Sequence, residues 1–196
     1  MKSFMKLTLI LSLSFFLIES KKTFSKNIAE QVSGGFFDLK NKDTIELLGD
    51  SCLILLPLTS FLLNLQLEPS HKGLQQNLLS QTANLAFSTL LKLAVNDLNI
   101  SGYNFGKRPN GDRYNFPSGH VSIVFTSSFH VFKRYHYKYF IPFLSLSLFT
   151  AYSRIHGKKH DLPAVVGGAL TGIIISDWFT SRYKEKKLSL FYNPKR

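Results

Sequence analysis

Six runs with few or no charges, separated by stretches that hold most of the basic residues, decide what this chain can fold into. They lie at 7–18, 44–67, 74–95, 121–132, 139–152 and 162–179. Apolar residues fill them almost continuously, without the 3.6-residue stripe of a surface helix, and such segments suit hydrocarbon or the interior of a helix bundle. Several are shorter than the roughly 20 residues that cross a bilayer unaided, so flanking aromatic and polar residues must complete them. The expectation is an all-α fold, a membrane-embedded bundle of six helices.

The runs differ in ways that assign them places. Residues 44–67 carry Glu46 and Asp50 early and Pro57 within, a kink that membrane helices tolerate. Residues 74–95 are interrupted by Gln75, Gln76, Asn77, Gln81, Asn84 and Lys92, which predicts a helix facing other helices and a polar cavity. Residues 1–22 have a basic start and an uncharged centre, the form of a secretory signal peptide or an uncleaved signal anchor. Residues 23–43, broken by Gly34-Gly35, read as a connector, 44–182 as the membrane domain, and 183–196 as a basic cytoplasmic tail.

With the N-terminus cytoplasmic, six crossings put 68–73, the KRYHYK segment at 133–138 and the tail inside, as the positive-inside rule asks. Loops 96–118 and 154–161 then face outward together. Lysines 21, 22, 26, 40 and 42 fall on the outer side against that rule. An anionic partner at that face is one way to accommodate them.

The formal charge of +12, from 24 basic and 12 acidic residues, also predicts an anionic partner. Nucleic acid is disfavoured, because the basic residues gather at the ends of apolar runs. Cys52 is the one cysteine, so no cysteine metal cluster or internal disulfide is available. His156 and His160 are four apart, but no Glu of an H-E-x-x-H pattern lies between them, which makes zinc a poor fit.

Two outward loops carry the chemistry. The first, NFGKRPNGDRYNFPSGH at 104–120, combines arginines with a Ser-Gly pair opening a helix, and both features suit phosphate oxygens. The second, SRIHGKKHDLP at 153–163, brings Arg154 and His160 to the same face. Arg108-Pro109, PSGH at 117–120 and Ser153-Arg154-x5-His160 resemble the three signature motifs of the type 2 phosphatidic acid phosphatase superfamily. The resemblance covers roughly residues 75–180.

Two positions depart from that pattern. The first motif's usual lysine position is Ser101, while Lys92 stands further upstream, with fifteen residues between it and Arg108. The third motif's usual aspartate position is Ala164, with Asp161 directly after His160. The spacing from Lys92 and the Ala-Val ending are similar to the bacterial lipid A 1-phosphatases.

The resemblance implies roles. His160 is the nucleophile, and His120 is the acid that protonates the leaving oxygen and then activates water. Lys92, Arg108, Ser118, Gly119 and Arg154 hold the phosphate, and the scheme requires no metal or cofactor. Asp161 either orients His160 or caps the helix opening near Pro163, the cap being favoured. A backbone carbonyl is the other way to orient the ring. Arg113 with Asp112 reads equally as a substrate contact or a loop salt bridge, and Asp177 as a packing or interfacial residue.

The implied activity is removal of a phosphate from a membrane lipid, foremost the 1-phosphate of lipid A, at the periplasmic face of the inner membrane. Rival readings are the lipid A 4′-phosphate, undecaprenyl pyrophosphate or phosphatidylglycerol phosphate as substrate, a lipid phosphotransferase, and a non-catalytic binder of anionic lipid. The oligomeric state is not legible in the residues.

Overall fold

The computed structural model describes residues 43–135 and 137–183. Five helices occupy them: α1 (Thr44–Leu67), α2 (Lys72–Val95), α3 (Gly119–Arg134), α4 (Tyr137–His156) and α5 (Leu162–Phe179). The predicted first helix, the connector and the basic tail from residue 184 lie outside the described residues. The 121–132 and 139–152 runs lengthen to 16 and 20 residues, because Gly119, His120 and Lys133-Arg134 join α3 while Arg154 and His156 join the end of α4.

Local chemistry explains where the helices begin. Asp161 caps α5, its carboxylate accepting the Ala164 N–H at 3.0 Å, and Pro163 sits in the first turn where no N–H is needed. Ser118 occupies the N-cap position of α3 in extended conformation, just after the cis Phe116–Pro117 bond. Between α2 and α3, Asn99–Ile100 (β1) pairs antiparallel with Tyr103–Asn104 (β2). Ser101 and Gly102 both have positive φ, 51° and 85°, as a two-residue hairpin requires.

α3 is the central helix and packs against all four others. Its closest neighbour is α5, where Gly172 lets the backbones meet: a Cβ there would overlap the Ser122 carbonyl and stand 2.9 Å from the Thr126 nitrogen. Small residues at such crossings are how helices associate where water supplies no driving force.

Among the described residues, buried polar side chains outnumber buried apolar ones. Asn64, Asn77, Asn84, Ser122 and Thr126 are all sealed inside, while Leu55, Leu79, Leu90, Ile141, Leu148, Leu170 and Trp178 face outward. Water penalises that arrangement, whereas hydrocarbon rewards it. α1 and α5, with mean hydropathy 1.6 and 1.5, are long and apolar enough to cross a membrane. The bundle is that of a membrane protein.

One end of the bundle is clasped by a buried ion pair. Glu68 takes two hydrogen bonds from Arg134 and one from Tyr135 at 2.7 Å, and Arg134 Nη1 also donates to Gln76 at 2.9 Å. Arg134 is therefore an interior residue, although its KRYHYK neighbourhood reads as a solvated basic turn. His130 lies in the same region, between Asn64 and Thr180 at 3.1 Å each. Lys133 ties α3 to α5 through an ion pair with Asp177 at 2.6 Å, the Asp177 side chain being largely exposed.

Candidate active site

The opposite end gathers the C-terminal ends of α2 and α4, the N-terminal ends of α1, α3 and α5, and the loops between them. Loop 96–118 is held in shape from within. The Asn104 side chain accepts the Gly106 and Lys107 N–H groups, and Arg108 N–H donates to the Asp112 carbonyl at 2.8 Å. Ser118 N–H donates to the Ala164 carbonyl at 2.9 Å, which fastens the PSGH stretch to α5.

This folding leaves several buried polar atoms without a hydrogen-bond partner. Arg108 Nε and Ser118 Oγ are buried and have no hydrogen-bond partner among the described residues. A buried unmatched donor is costly, and a phosphate oxygen is a ligand that would satisfy both types. Lys92, in the last turn of α2, is buried as well. Its Nζ lies 3.6 Å from where a Cβ on Gly119 would stand, so its ammonium faces the N-terminus of α3. Lys107 is exposed.

Loop 157–161 brings the second histidine. His160 is 3% exposed, and its Nδ1 faces the Asn115 carbonyl at 2.7 Å. Nδ1 therefore carries the proton and donates it, leaving the Nε2 lone pair for chemistry. Asp161 does not orient this ring, which corrects that half of its expected role: its carboxylate is spent on the Ala164 N–H and on Tyr103, whose hydroxyl donates at 2.7 Å. Burial, then the bond to Asp161, pushes the Tyr103 hydroxyl well above its ordinary range. Asn115 Nδ2 donates to the same hydroxyl at 3.3 Å, so Asn115, Tyr103 and Asp161 brace the loop together.

Burial holds His160 well below its ordinary value of 6.5, and the positive charges of Lys92 and Arg108 act the same way. The ring is neutral at neutral pH. Burial also lowers Arg108, with Asp112 opposing and Arg154 adding to the effect. His120, Lys92, Arg108 and His160 thus share one electrostatic neighbourhood.

Arg154 is committed on all three nitrogens. Nε donates to Ser153 Oγ at 3.2 Å, Nη2 to the Glu46 carbonyl at 3.0 Å, and Nη1 pairs with Asp50 at 2.6 Å. The same Asp50 oxygen stands 3.2 Å from His120 Nε2. Asp50 is a residue that sequence reasoning missed. It is 2% exposed, and its only signal was an acid inside an apolar run without a charged neighbour in sequence to pair with.

Several basic or acidic residues stay outside the cluster. Arg113 pairs with Asp97, not with Asp112, and both partners are largely exposed. Asp112 accepts from Asn110 at 2.7 Å. His156 stacks at a tilt near Tyr152, 5.7 Å between rings, and His130 belongs to the far end.

Two histidines, three cationic side chains and the unmatched Arg108 Nε and Ser118 Oγ thus gather at this end of the bundle. Residues 68–188, more than half of the chain, match the family described as the PAP2 superfamily, and the chain belongs to that superfamily. Lipid A 1-phosphatases of Helicobacter pylori strains 26695 and J99 are each 34% identical to it. Those matches run over 111 and 108 residues, 54% and 53% of this chain and 58% and 56% of theirs. The chain thus spans a little over half the length of these relatives. A lipid A 4′-phosphatase of strain J99 is 34% identical over 88 residues, 44% of each chain. No solved structure matches significantly.

Proposed function

We propose that this protein is a lipid phosphatase of the inner membrane that removes the 1-phosphate of lipid A at the periplasmic face through a phosphohistidine. The observation that carries the reading is the convergence at one bundle end of a neutral His160, His120 and the cations Lys92, Arg108 and Arg154. The unmatched Arg108 Nε and Ser118 Oγ stand in the same loop and cap. His160 Nε2 attacks phosphorus while His120 gives a proton to the departing sugar oxygen as the P–O bond breaks. Water then attacks the phosphohistidine, His120 takes its proton, and the N–P bond breaks to release phosphate. Lys92, Arg108, Ser118 and the Gly119 N–H spread the charge of the equatorial oxygens, which is most of what phosphoryl transfer asks of a protein.

The apolar exterior and polar interior support placing the substrate's acyl chains in the bilayer beside the site. The 1-position is favoured by the two longer matches to 1-phosphatases. A 4′-phosphatase is the second reading, favoured by the shorter match to one. Mass spectrometry of lipid A from cells with and without the gene separates the two. One phosphate lost from the reducing-end sugar supports the first reading, loss from the other sugar supports the second, and unchanged masses overturn both.

A further inference from the structure

We infer that Asp50 of α1 is a positioning residue for the proton-transferring His120, held in place for that task by Arg154. The inference rests on the phosphatase reading above. It concerns a helix that lies outside the matched residues 68–188 and that no family motif reaches.

The geometry is a relay of three side chains from three helices. Arg154 is anchored first, by Ser153 Oγ and the Glu46 carbonyl, and its Nη1 grips Asp50 Oδ1 at 2.6 Å. That oxygen then meets His120 Nε2 at 3.2 Å. All three groups are shielded, with side-chain exposures of 3% for Asp50 and Arg154 and 18% for His120. α1 is built to come this close: a Cβ on Gly49 would overlap the Ser153 side chain and stand 3.1 Å from Arg154 Nη2.

A carboxylate on one ring nitrogen fixes which nitrogen exchanges protons. Asp50 Oδ1 and His120 Nε2 stand as an ion-pair contact without hydrogen-bond geometry in the resting site; an Nε2–H that closes onto Asp50 makes Nδ1 the working nitrogen of His120. Its proton goes to the leaving oxygen in the first step and is replaced from water in the second, while Nε2–H stays on Asp50 throughout. The groups facing His120 are Asp50 from α1, Lys92 from α2 and Arg154 from α4, so Asp50 is the one negative charge among them. His160 has its own orienting group in the Asn115 carbonyl. The two histidines are therefore held by separate devices, a backbone carbonyl for one and a carboxylate for the other.

The test uses purified full-length protein and a double-mutant cycle of Asp50→Asn and His120→Asn, with lipid A and p-nitrophenyl phosphate as substrates. Asp50→Asn is expected to lower kcat on lipid A about 30-fold, a share of what general acid catalysis supplies. KM should move less than about 3-fold, because Ser153 and Glu46 still hold Arg154. The deficit should shrink several-fold on p-nitrophenyl phosphate, whose leaving group needs little protonation. In the His120→Asn background, Asp50→Asn should cost no more than about 3-fold further.

Additive losses, or an equal deficit on both substrates, overturn the inference. Should Asp50→Asn elute as aggregate, Asp50→Glu is read in the same cycle with the same criteria. A wild-type protein inactive on both substrates overturns the phosphatase reading itself and this inference with it.

Discussion

At His160 the chemistry turns on which ring nitrogen is left over. The Asn115 carbonyl takes the Nδ1 proton, which leaves Nε2 as the proposed nucleophile, and burial among cations keeps it unprotonated. His160→Ala should therefore lower kcat/KM by about 10⁴-fold or more, measured as phosphate release. A histidine whose folded value lies below 6.5 resists a proton that the unfolded chain accepts. Stability should fall as pH drops below 6.5, and histidine C2-hydrogen exchange followed by mass spectrometry should place the His160 midpoint well under that value. Lys92→Ala should cost roughly 100-fold in kcat/KM and Lys107→Ala less than about 3-fold, because one ammonium is buried at the α3 N-terminus and the other is exposed.

At this scale the residues with motif spacing, Arg108, Ser118, His120, Arg154 and His160, were legible before any coordinates. Asn115 acts through its carbonyl, which every residue has, so no sequence pattern could single it out. Asp50 was hidden for another reason. Its partners stand 70 and 104 positions away on other helices, and only the packing of α1 onto α4 brings them together.

Helices place these groups by where they end, and the apolar runs alone understated those ends. His120 and Arg154 both lie beyond the runs, on turns of α3 and α4 that polar residues complete. Loop 96–118 was legible only as an outward loop, yet it folds a β-hairpin, and the Tyr103–Asp161 bond ties it to α5. The α3–α5 crossing is equally exacting. Gly172→Ala should push its new methyl against the Ser122 carbonyl and destabilise by about 1–3 kcal/mol, lowering Tm in detergent by roughly 5 °C. Because Ser118 hangs from Ala164 on the same pair of helices, activity should fall along with stability.

Across the described residues the burial pattern is inverted, with amides and hydroxyls inside and leucines outside, in keeping with the glutamine- and asparagine-studded run at 74–95. The proposed chemistry occupies one end and the Glu68–Arg134–Tyr135 clasp the other. Burial works to raise the Glu68 carboxyl, but the Arg134 and Tyr135 hydrogen bonds outweigh it and hold the group below its ordinary value. Its contribution to stability is present above that ordinary value and lost as pH falls through the lowered one. Glu68→Gln strands Arg134 in the interior and should cost about 3–5 kcal/mol, read as a lower Tm, while the folded fraction keeps its kcat. That outcome would separate a structural end from a catalytic one.

The most direct measurement is mass spectrometry of bisphosphorylated lipid A incubated with the purified protein, beside His160→Ala. The account predicts loss of one phosphate from the reducing-end sugar with wild type and none with the variant. An unchanged substrate with wild type, or undiminished release by His160→Ala, would contradict it.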